Sequence, residues 1–132
     1  MKAFGCGFAQ AYGMTEASPL VSWLDEETHE RGARGEEPYA SRLRSAGVPV
    51  VGVRTEVRRP DGSLASVGEA GEIYIQGPNI MRGYWNREAE TTHALVDGWY
   101  RSGDVAYADD GGYLRRAQGR PSTERKAPTH HP

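Results

Sequence analysis

Two short segments of the chain carry residue types from which a binding or catalytic site can be built. The first, residues 97–104 (Asp-Gly-Trp-Tyr-Arg-Ser-Gly-Asp), brings two carboxylates, an arginine, two aromatic rings and two glycines into eight residues. In a loop between strands, a glycine lets a ligand approach the backbone, and the adjacent carboxylate of Asp104 can accept two hydrogen bonds at once. The structural alternative is an ordinary turn, which glycine and aspartate also favour.

The second segment follows an alternating stretch, residues 7–12, that is typical of a strand. It continues into Gly-Met-Thr-Glu at residues 13–16. A strand that ends in such a loop places the hydroxyl of Thr15 and the carboxylate of Glu16 side by side at the edge of a sheet. The structural alternative is that this pair only starts a helix or a turn.

Length and composition indicate one soluble domain with a lean core. The 132 residues include 17 glycines and 8 prolines, and only 37% are hydrophobic, so we expect short elements joined by many turns. The net charge of -2 indicates no general attraction to nucleic acid or to an anionic membrane. Cys6 is the only cysteine, which excludes a disulfide framework and a cysteine-built zinc site.

The sequence also predicts a cytoplasmic protein. No apolar run approaches the roughly 18 residues that a membrane span requires. The first six residues lack the long apolar core of a signal peptide.

The elements that must position these segments are mostly strands. Alternation predicts strands at residues 53–58, 72–77 and 105–108, with turns at 60–63 and 109–112 and a return strand from residue 113. Short helices are predicted at 25–31, 38–43 and 87–95, the last with Asn86 as its N-cap. A run of short antiparallel strands with few helices favours a small barrel or sandwich.

Three motifs in order make the chain resemble the adenylate-forming superfamily, specifically the AMP-forming acyl-CoA synthetases, which include the fatty-acid–CoA ligases. Residues 12–16 and 100–104 resemble its nucleotide site, and residues 71–86 between them resemble a third signature of the family. Residues 47–53 match the segment before that signature. The likeness runs from about Phe4 to Leu114, and the order of the motifs makes it specific.

The resemblance implies an internal fragment that covers the last part of the family's large N-terminal domain. Residues 1–45 are then the end of an α/β nucleotide-binding subdomain, and residues 46–114 a small distorted antiparallel β-barrel. Residues 115–132 do not match and are expected to form a disordered tail. The expected fold class is mainly β with short helices (α+β). The abrupt end of the likeness is what a frameshift or truncation produces, with Met1 an internal start.

The family activates a carboxylic acid with ATP and Mg²⁺, releases pyrophosphate, and passes the acyl group from the acyl-AMP to a thiol, usually coenzyme A. The resemblance implies that Tyr12 stacks on adenine and that Asp104 accepts the ribose hydroxyls. It also implies that Gln10, Ala11 and Gly13 supply polar or close backbone contacts around the base.

Two residues receive catalytic roles through the same resemblance. Thr15 would donate its hydroxyl to an α-phosphate oxygen. Glu16 would bind Mg²⁺, for which a carboxylate is a suitable hard ligand. The expected ligands are therefore a nucleotide and a small carboxylic acid, with no nucleic acid and no membrane span.

The family's phosphate loop and C-terminal catalytic lysine have no match in this sequence, which leaves three hypotheses. The chain is a fragment that keeps part of the adenosine site without turnover, or a stand-alone small β-rich nucleotide-binding module. The third hypothesis is one half of a split ligase, completed by a chain carrying the phosphate loop and the lysine. Arg120 lies one place late for the family's hinge arginine and receives no role.

The remaining candidate residues have structural interpretations. The four histidines lack metal-ligand spacing and are expected at the surface: His29, His93, His130 and His131. Ser102 has no neighbouring histidine to activate it. The aromatic pairs at 84–85 and 99–100 are expected in the core.

Overall fold

Short strands joined by tight turns make up most of the molecule. The computed structural model describes residues 5–117. The strands are β1 (Gln10–Gly13), β2 (Leu20–Leu24), β3 (Val48–Pro49), β4 (Arg54–Arg58), β5 (Gly71–Gln76), β6 (Leu95–Val96), β7 (Trp99–Ala108) and β8 (Leu114–Arg116). The helices are α1 (Glu26–Ala33), α2 (Tyr39–Arg42) and α3 (Glu88–Ala94), and a single 3₁₀ turn covers Thr15–Ala17.

The strands form two antiparallel sheets. The smaller sheet has the order β1-β2-β3, and the larger has the order β4-β5-β7-β6, with β8 also paired to β7. The larger sheet curls into a half-barrel. The predicted fold, mainly β with a few short helices, is confirmed.

One hydrophobic cluster joins the two sheets. Ala17 and Val21 come from the region of the smaller sheet, and Ile75 and Tyr100 come from the centre of the larger one. Trp99 and Tyr100 are both buried, so the prediction that residues 99–100 belong to the core is confirmed. Burial of such side chains is the main stabilising contribution to a fold of this kind.

The prediction for the other aromatic pair is correct for one member only. Tyr84 packs against the core, but Trp85 is 91% exposed. These residues lie in the irregular segment before α3, in which Trp85 begins a turn.

Hydrogen bonds hold the two sheets in a fixed relation. The side-chain amide of Asn79, after β5, donates to the carbonyls of Ala17 and Leu20 at 2.7 and 3.0 Å. At the other end, the backbone of Leu114 exchanges hydrogen bonds with Ala46 and Gly47. The turn after β1 is thereby tied to the larger sheet.

Helix α1 confirms the predicted helix and corrects the prediction for a histidine. The Asp25 carboxylate caps the helix by accepting a hydrogen bond from the Thr28 amide at 2.8 Å. His29 is only 7% exposed rather than at the surface. Its Nδ1 lies 2.9 Å from the Asp25 carbonyl oxygen and its ring meets that of Phe8 edge-on, so the helix cap and an aromatic contact account for its burial.

Helix α3 is present, but the predicted N-cap is wrong. Asn86 has φ 51°, in the left-handed region, and the cap position is Arg87, whose side chain makes no capping hydrogen bond. Thr91 stabilises this end instead: its hydroxyl donates to the Arg87 carbonyl and accepts from the Tyr84 amide. Asparagine tolerates φ > 0 better than most residues, which explains its presence in the tight entry to the helix.

Strand β8 includes Arg115 and Arg116, so regular structure extends at least two residues beyond the end at Leu114 that the sequence predicted. Residues 118–132, and with them most of the predicted tail, lie outside the described residues. Within residues 5–117, no helix has the length and apolar character needed to cross a bilayer.

One ion pair makes a testable contribution to stability at low pH. The Glu69 carboxylate accepts hydrogen bonds from the Arg59 guanidinium and the Ser66 amide, which lower its pKa from 4.5 to about 2. Because the pKa is lower in the folded state, the stabilisation is complete above about 4.5 and is lost as the pH falls towards about 2. We therefore expect the free energy of unfolding of Glu69→Gln to depend less on pH than that of the unaltered chain in this window. Denaturant titrations across this range measure the difference, and identical pH profiles would contradict the assignment.

Candidate nucleotide-binding site

A bulge in β7 brings Asp104 to the surface of the larger sheet. Between the pairs Glu72–Val105 and Tyr74–Arg101, β5 contributes one residue and β7 contributes residues 102–104. The extra residues interrupt the ladder, and Gly103 adopts φ 75° at the centre of the bulge. The prediction of a loop at residues 97–104 is therefore wrong, because residues 99–108 are one bulged strand. The exposed carboxylate of Asp104 is the product of the bulge.

A second irregularity positions the other segment. Tyr12 pairs with Ser22 and Gly13 pairs with Leu20, so Val21 has no opposite residue on β1. The backbone then enters the 3₁₀ turn Thr15–Ala17, on which Thr15 is exposed and Glu16 half-buried. Bulges of this kind often re-aim side chains next to functional sites.

The two segments meet, as their resemblance to parts of a single nucleotide site implied. The hydroxyl of Tyr12 donates a hydrogen bond of 2.7 Å to Asp104 Oδ2, although the residues are 92 positions apart. Burial raises the pKa of the Tyr12 phenol, and the hydrogen bond to Asp104 and its negative charge raise it further. The phenol therefore stays protonated at physiological pH and keeps an aromatic ring directly beside an exposed carboxylate.

Glu16 is held by hydrogen bonds from the segment that follows β5. Its Oε1 accepts a hydrogen bond of 3.0 Å from the Tyr84 hydroxyl, and its carbonyl accepts one from the Met81 amide at 2.8 Å. A cavity of about 660 Å³ opens beside it, between the 3₁₀ turn, β7 and α3. Glu16, Tyr84, Arg101 and the bulge residue Gly103 line its wall. The cavity therefore extends from Glu16 to the bulge residue that precedes Asp104.

Glu16 fits the predicted Mg²⁺ role as a single ligand. Among residues 5–117 no group of three or more His, Cys, Asp or Glu side chains is placed to hold a metal ion. Mg²⁺ commonly keeps several waters and binds through one or two carboxylates together with substrate phosphates. One half-buried carboxylate facing a cavity is consistent with that mode of binding.

The remaining predicted contacts lie along β1. Gln10 and Ala11 are exposed, opposite Leu24 and Trp23. Gly13 is also exposed, but a Cβ there would overlap the carbonyl oxygen of Pro19. Glycine is thus required at residue 13 by the close approach of the Pro19 backbone, whether or not a ligand binds.

We expect Gly13→Ala to destabilise the fold by about 3 kcal/mol, the upper part of the range for an overpacked site, because backbone atoms must move. Gly111→Ala is the matched control, since the nearest atoms to a Cβ there belong to side chains rather than backbone: the Arg42 guanidinium at 3.1 Å, the Tyr113 ring at 3.2 Å and the Asp109 carboxylate at 3.4 Å. Thermal or denaturant unfolding of the two variants measures the difference. Equal stability of the two variants would contradict the close approach at Gly13.

The sequence did not single out two residues that support the site. Tyr84, which was assigned only to the core, donates to Glu16 across 68 positions. Glu72 accepts hydrogen bonds from Arg101 at 3.0 Å and from the Gly103 amide at 3.1 Å. A glutamate at the start of a strand looks like an ordinary outward-facing residue, and its partners 29 and 31 positions away leave no local signal.

Comparison with known proteins defines the class. Residues 1–85 match the family described as AMP-binding enzyme, which is nearly two thirds of the chain. The chain belongs to this family of adenylate-forming enzymes. The relatives that it matches are named as acyl-CoA synthases and fatty-acid–CoA ligases. This confirms the resemblance inferred from the motifs.

Two relatives show the degree of similarity. A feruloyl-CoA synthase from Amycolatopsis sp is 44% identical over 110 residues, which are 83% of this chain and 20% of that protein. A long-chain-fatty-acid–CoA ligase from Haemophilus influenzae is 36% identical over 111 residues, 84% of this chain and 18% of that protein. The chain therefore spans about a fifth of the length of these relatives.

Solved structures of CoA synthetases support the same family assignment. The o-succinylbenzoate CoA synthetase from Bacillus subtilis, bound to a product analogue, superposes with a TM-score of 0.75 at 33% identity, over 88% of this chain and 22% of that one. The same enzyme in complex with ATP and magnesium ion gives a TM-score of 0.72 at 32% identity, over 86% and 22%.

Proposed function

We propose that this chain forms the adenosine-binding part of an ATP-dependent, AMP-forming acid–thiol ligase. In the reaction, a carboxylate oxygen attacks the α-phosphorus of ATP and pyrophosphate leaves. The thiol of coenzyme A then attacks the acyl carbonyl of the acyl-AMP, and AMP leaves. The acid is a small carboxylic acid, and residues 12–16 and Asp104 grip the nucleotide.

The observation that carries the proposal is the contact between Tyr12 and Asp104. A nucleoside joins its base directly to its ribose, so a platform for the base and an acceptor for the ribose hydroxyls must be neighbours. The 2.7 Å hydrogen bond between Tyr12 and Asp104 makes them so. Base stacking on an aromatic ring is worth about 1–3 kcal/mol and needs no sequence-specific polar contact.

The other residues extend the grip towards the phosphates. Gln10, Ala11 and Gly13 precede and follow the aromatic ring on β1 and supply contacts around the base. Thr15 donates its hydroxyl to the α-phosphate, where charge develops during the reaction. Glu16 holds Mg²⁺, which when bound neutralises phosphate charge.

The 132-residue chain alone is proposed to bind the nucleotide without forming the acyl-adenylate. Lys2 and Lys126 are its only lysines, and neither lies within residues 5–117. Among residues 5–117, the arginines that line the cavity are Arg87 and Arg101, and each is paired with a glutamate, so the described part of the site offers little free positive charge to stabilise a pentavalent phosphoryl group. A second candidate is one half of a split ligase, completed by another chain that carries the phosphate loop and the catalytic lysine.

Calorimetric titration of the 132-residue chain with AMP, CMP and inorganic pyrophosphate tests the proposal. We expect AMP to bind more tightly than CMP, because the larger purine covers more of the Tyr12 ring, and pyrophosphate to bind least. Equal affinity for AMP and CMP, or tightest binding of pyrophosphate, would contradict an adenosine site. Addition of the missing segments from a relative and recovery of ligase activity would favour the split enzyme.

A further inference from the structure

The carboxylate of Glu72 lies directly behind the bulge that carries Asp104. Glu72 Oε2 accepts a hydrogen bond of 3.0 Å from the Arg101 guanidinium, and Glu72 Oε1 accepts one of 3.1 Å from the Gly103 amide. One oxygen thus holds Arg101, the last regularly paired residue before the irregular segment, and the other holds Gly103 at its centre. The bulge is fastened at both points by a single side chain.

We infer that Glu72 is a positioning residue for the ribose-binding carboxylate, fixing the bulge so that Asp104 faces Tyr12; this inference rests on the proposed function. Glu72 itself stays off the nucleoside and acts through the backbone of residues 102–104. The role is specific to the site, because the ordinary ladder is absent at these residues and the amide of Gly103 finds its acceptor in Glu72 instead.

The backbone geometry requires such a support. Gly103 has φ 75°, a conformation that glycine adopts freely but does not hold by itself. On one side of it the Ser102 hydroxyl accepts from the Asp104 amide at 3.0 Å, and on the other the Glu72 carboxylate accepts from Gly103. Without Glu72, the backbone of the segment keeps the Ser102 restraint alone, and the orientation of the Asp104 carboxylate then depends on its hydrogen bond to the Tyr12 hydroxyl.

Electrostatics are consistent with a positioning role. The Arg101 guanidinium balances the charge of Glu72, so a second carboxylate stands near Asp104 without adding a net negative charge. The hydrogen bond to Glu72 raises the pKa of Arg101 above its usual range. Both side chains are less than one third exposed, which screens the pair less than a fully exposed one.

The chain provides a matched control for a simple structural role. Glu69 also binds one arginine, Arg59 at 2.6 Å, and one backbone amide, that of Ser66 at 2.8 Å. This pair fastens the turn after β4 and makes no contact with residues 12–16 or 102–104. Glu69→Gln therefore removes the same kind of interaction at a place where it cannot affect the ribose contact.

The test compares the affinity of each variant for AMP and for 2′,3′-dideoxy-AMP, which lacks both ribose hydroxyls. The dissociation constant for 2′,3′-dideoxy-AMP divided by that for AMP measures ribose recognition. This ratio is insensitive to a uniform loss of folded protein. We expect Glu72→Gln to lower this ratio by about fivefold, part of the effect of one charge-assisted hydrogen bond, and Glu69→Gln to leave it unchanged. Asp104→Ala should abolish the preference, and adding Glu72→Gln to it should change nothing further, because the two act as a unit.

An unchanged ratio in Glu72→Gln, together with a lost preference in Asp104→Ala, would overturn the inference and leave the proposed function intact. A ratio of one in the unaltered chain would overturn both. If Glu72→Gln does not fold, Glu72→Asp replaces it, because it keeps the charge and shortens the reach by one methylene. The expected and contradicting ratios are the same for that variant.

Discussion

Asp104→Ala is expected to weaken AMP binding by about a hundredfold or more, since hydrogen bonds to a charged group are worth about 1.5–3 kcal/mol each and two are lost. Asp104 is exposed at the bulge and is held beside Tyr12 by the 2.7 Å hydrogen bond. Its carboxylate can accept from both ribose hydroxyls, and alanine removes both contacts together. Calorimetric titration with AMP measures the change.

The control for this variant is the other acid of the same segment. Asp97 and Gly98 connect β6 to β7, with φ 51° and 79°, as in a two-residue hairpin turn of type I′. Asp97→Asn keeps a residue that suits this turn and removes the charge, so its affinity for AMP should stay within about twofold of the unaltered chain. Equal losses in Asp104→Ala and Asp97→Asn would leave no reason to assign the ribose to Asp104.

The pure 132-residue chain is expected to show no acid-dependent exchange of labelled pyrophosphate into ATP. Losing one group that stabilises transition-state charge slows a reaction by about a hundredfold or more, and two such groups of the family have no match in this sequence. The chain's only lysines, Lys2 and Lys126, lie outside the described residues.

The exchange assay should cover a panel of fatty and aromatic acids, because the relatives include a long-chain-fatty-acid–CoA ligase and a feruloyl-CoA synthase. A complete ligase of the family, assayed in parallel, provides the positive control. Exchange above background by the 132-residue chain would mean that Lys126, or an arginine of the cavity, supplies the cation.

Local patterns predicted the regular elements well. The alternation at residues 53–58 and 72–77 corresponds to β4 and β5, and the turn residues between them lie in a turn closed from the Gly62 amide to the Arg59 carbonyl. Strand periodicity and turn chemistry are properties of neighbouring residues, so they can be seen in a single sequence.

The bulge in β7 could not be predicted in the same way. It arises because β7 pairs with β5 on both sides of residues 102–104 with a changed register, and register is a property of two strands. The glycine in that segment therefore indicated a loop, when its function is to let a strand bend. The burial of His29 has a similar origin, because Phe8 reaches it from outside the helix.

The residues of the candidate site also divide into those that local sequence reveals and those that depend on long-range contacts. Tyr12, Glu16 and Asp104 were recognisable because they lie in motifs that resemble a known family. Tyr84 and Glu72 support them through contacts across 68 and 31 positions, which neither spacing nor composition reveals. Sequence alone thus predicted the groups expected to touch the nucleotide but missed those that hold them in place.

The most direct test of an adenosine site between these two segments is an amide proton–nitrogen correlation spectrum of the 132-residue chain during titration with AMP. We expect the largest shifts at residues 12–16 and 102–105, with small shifts around the distant Arg59–Glu69 pair. Shifts at only one of the two segments, or the largest shifts elsewhere in residues 5–117, would contradict the account.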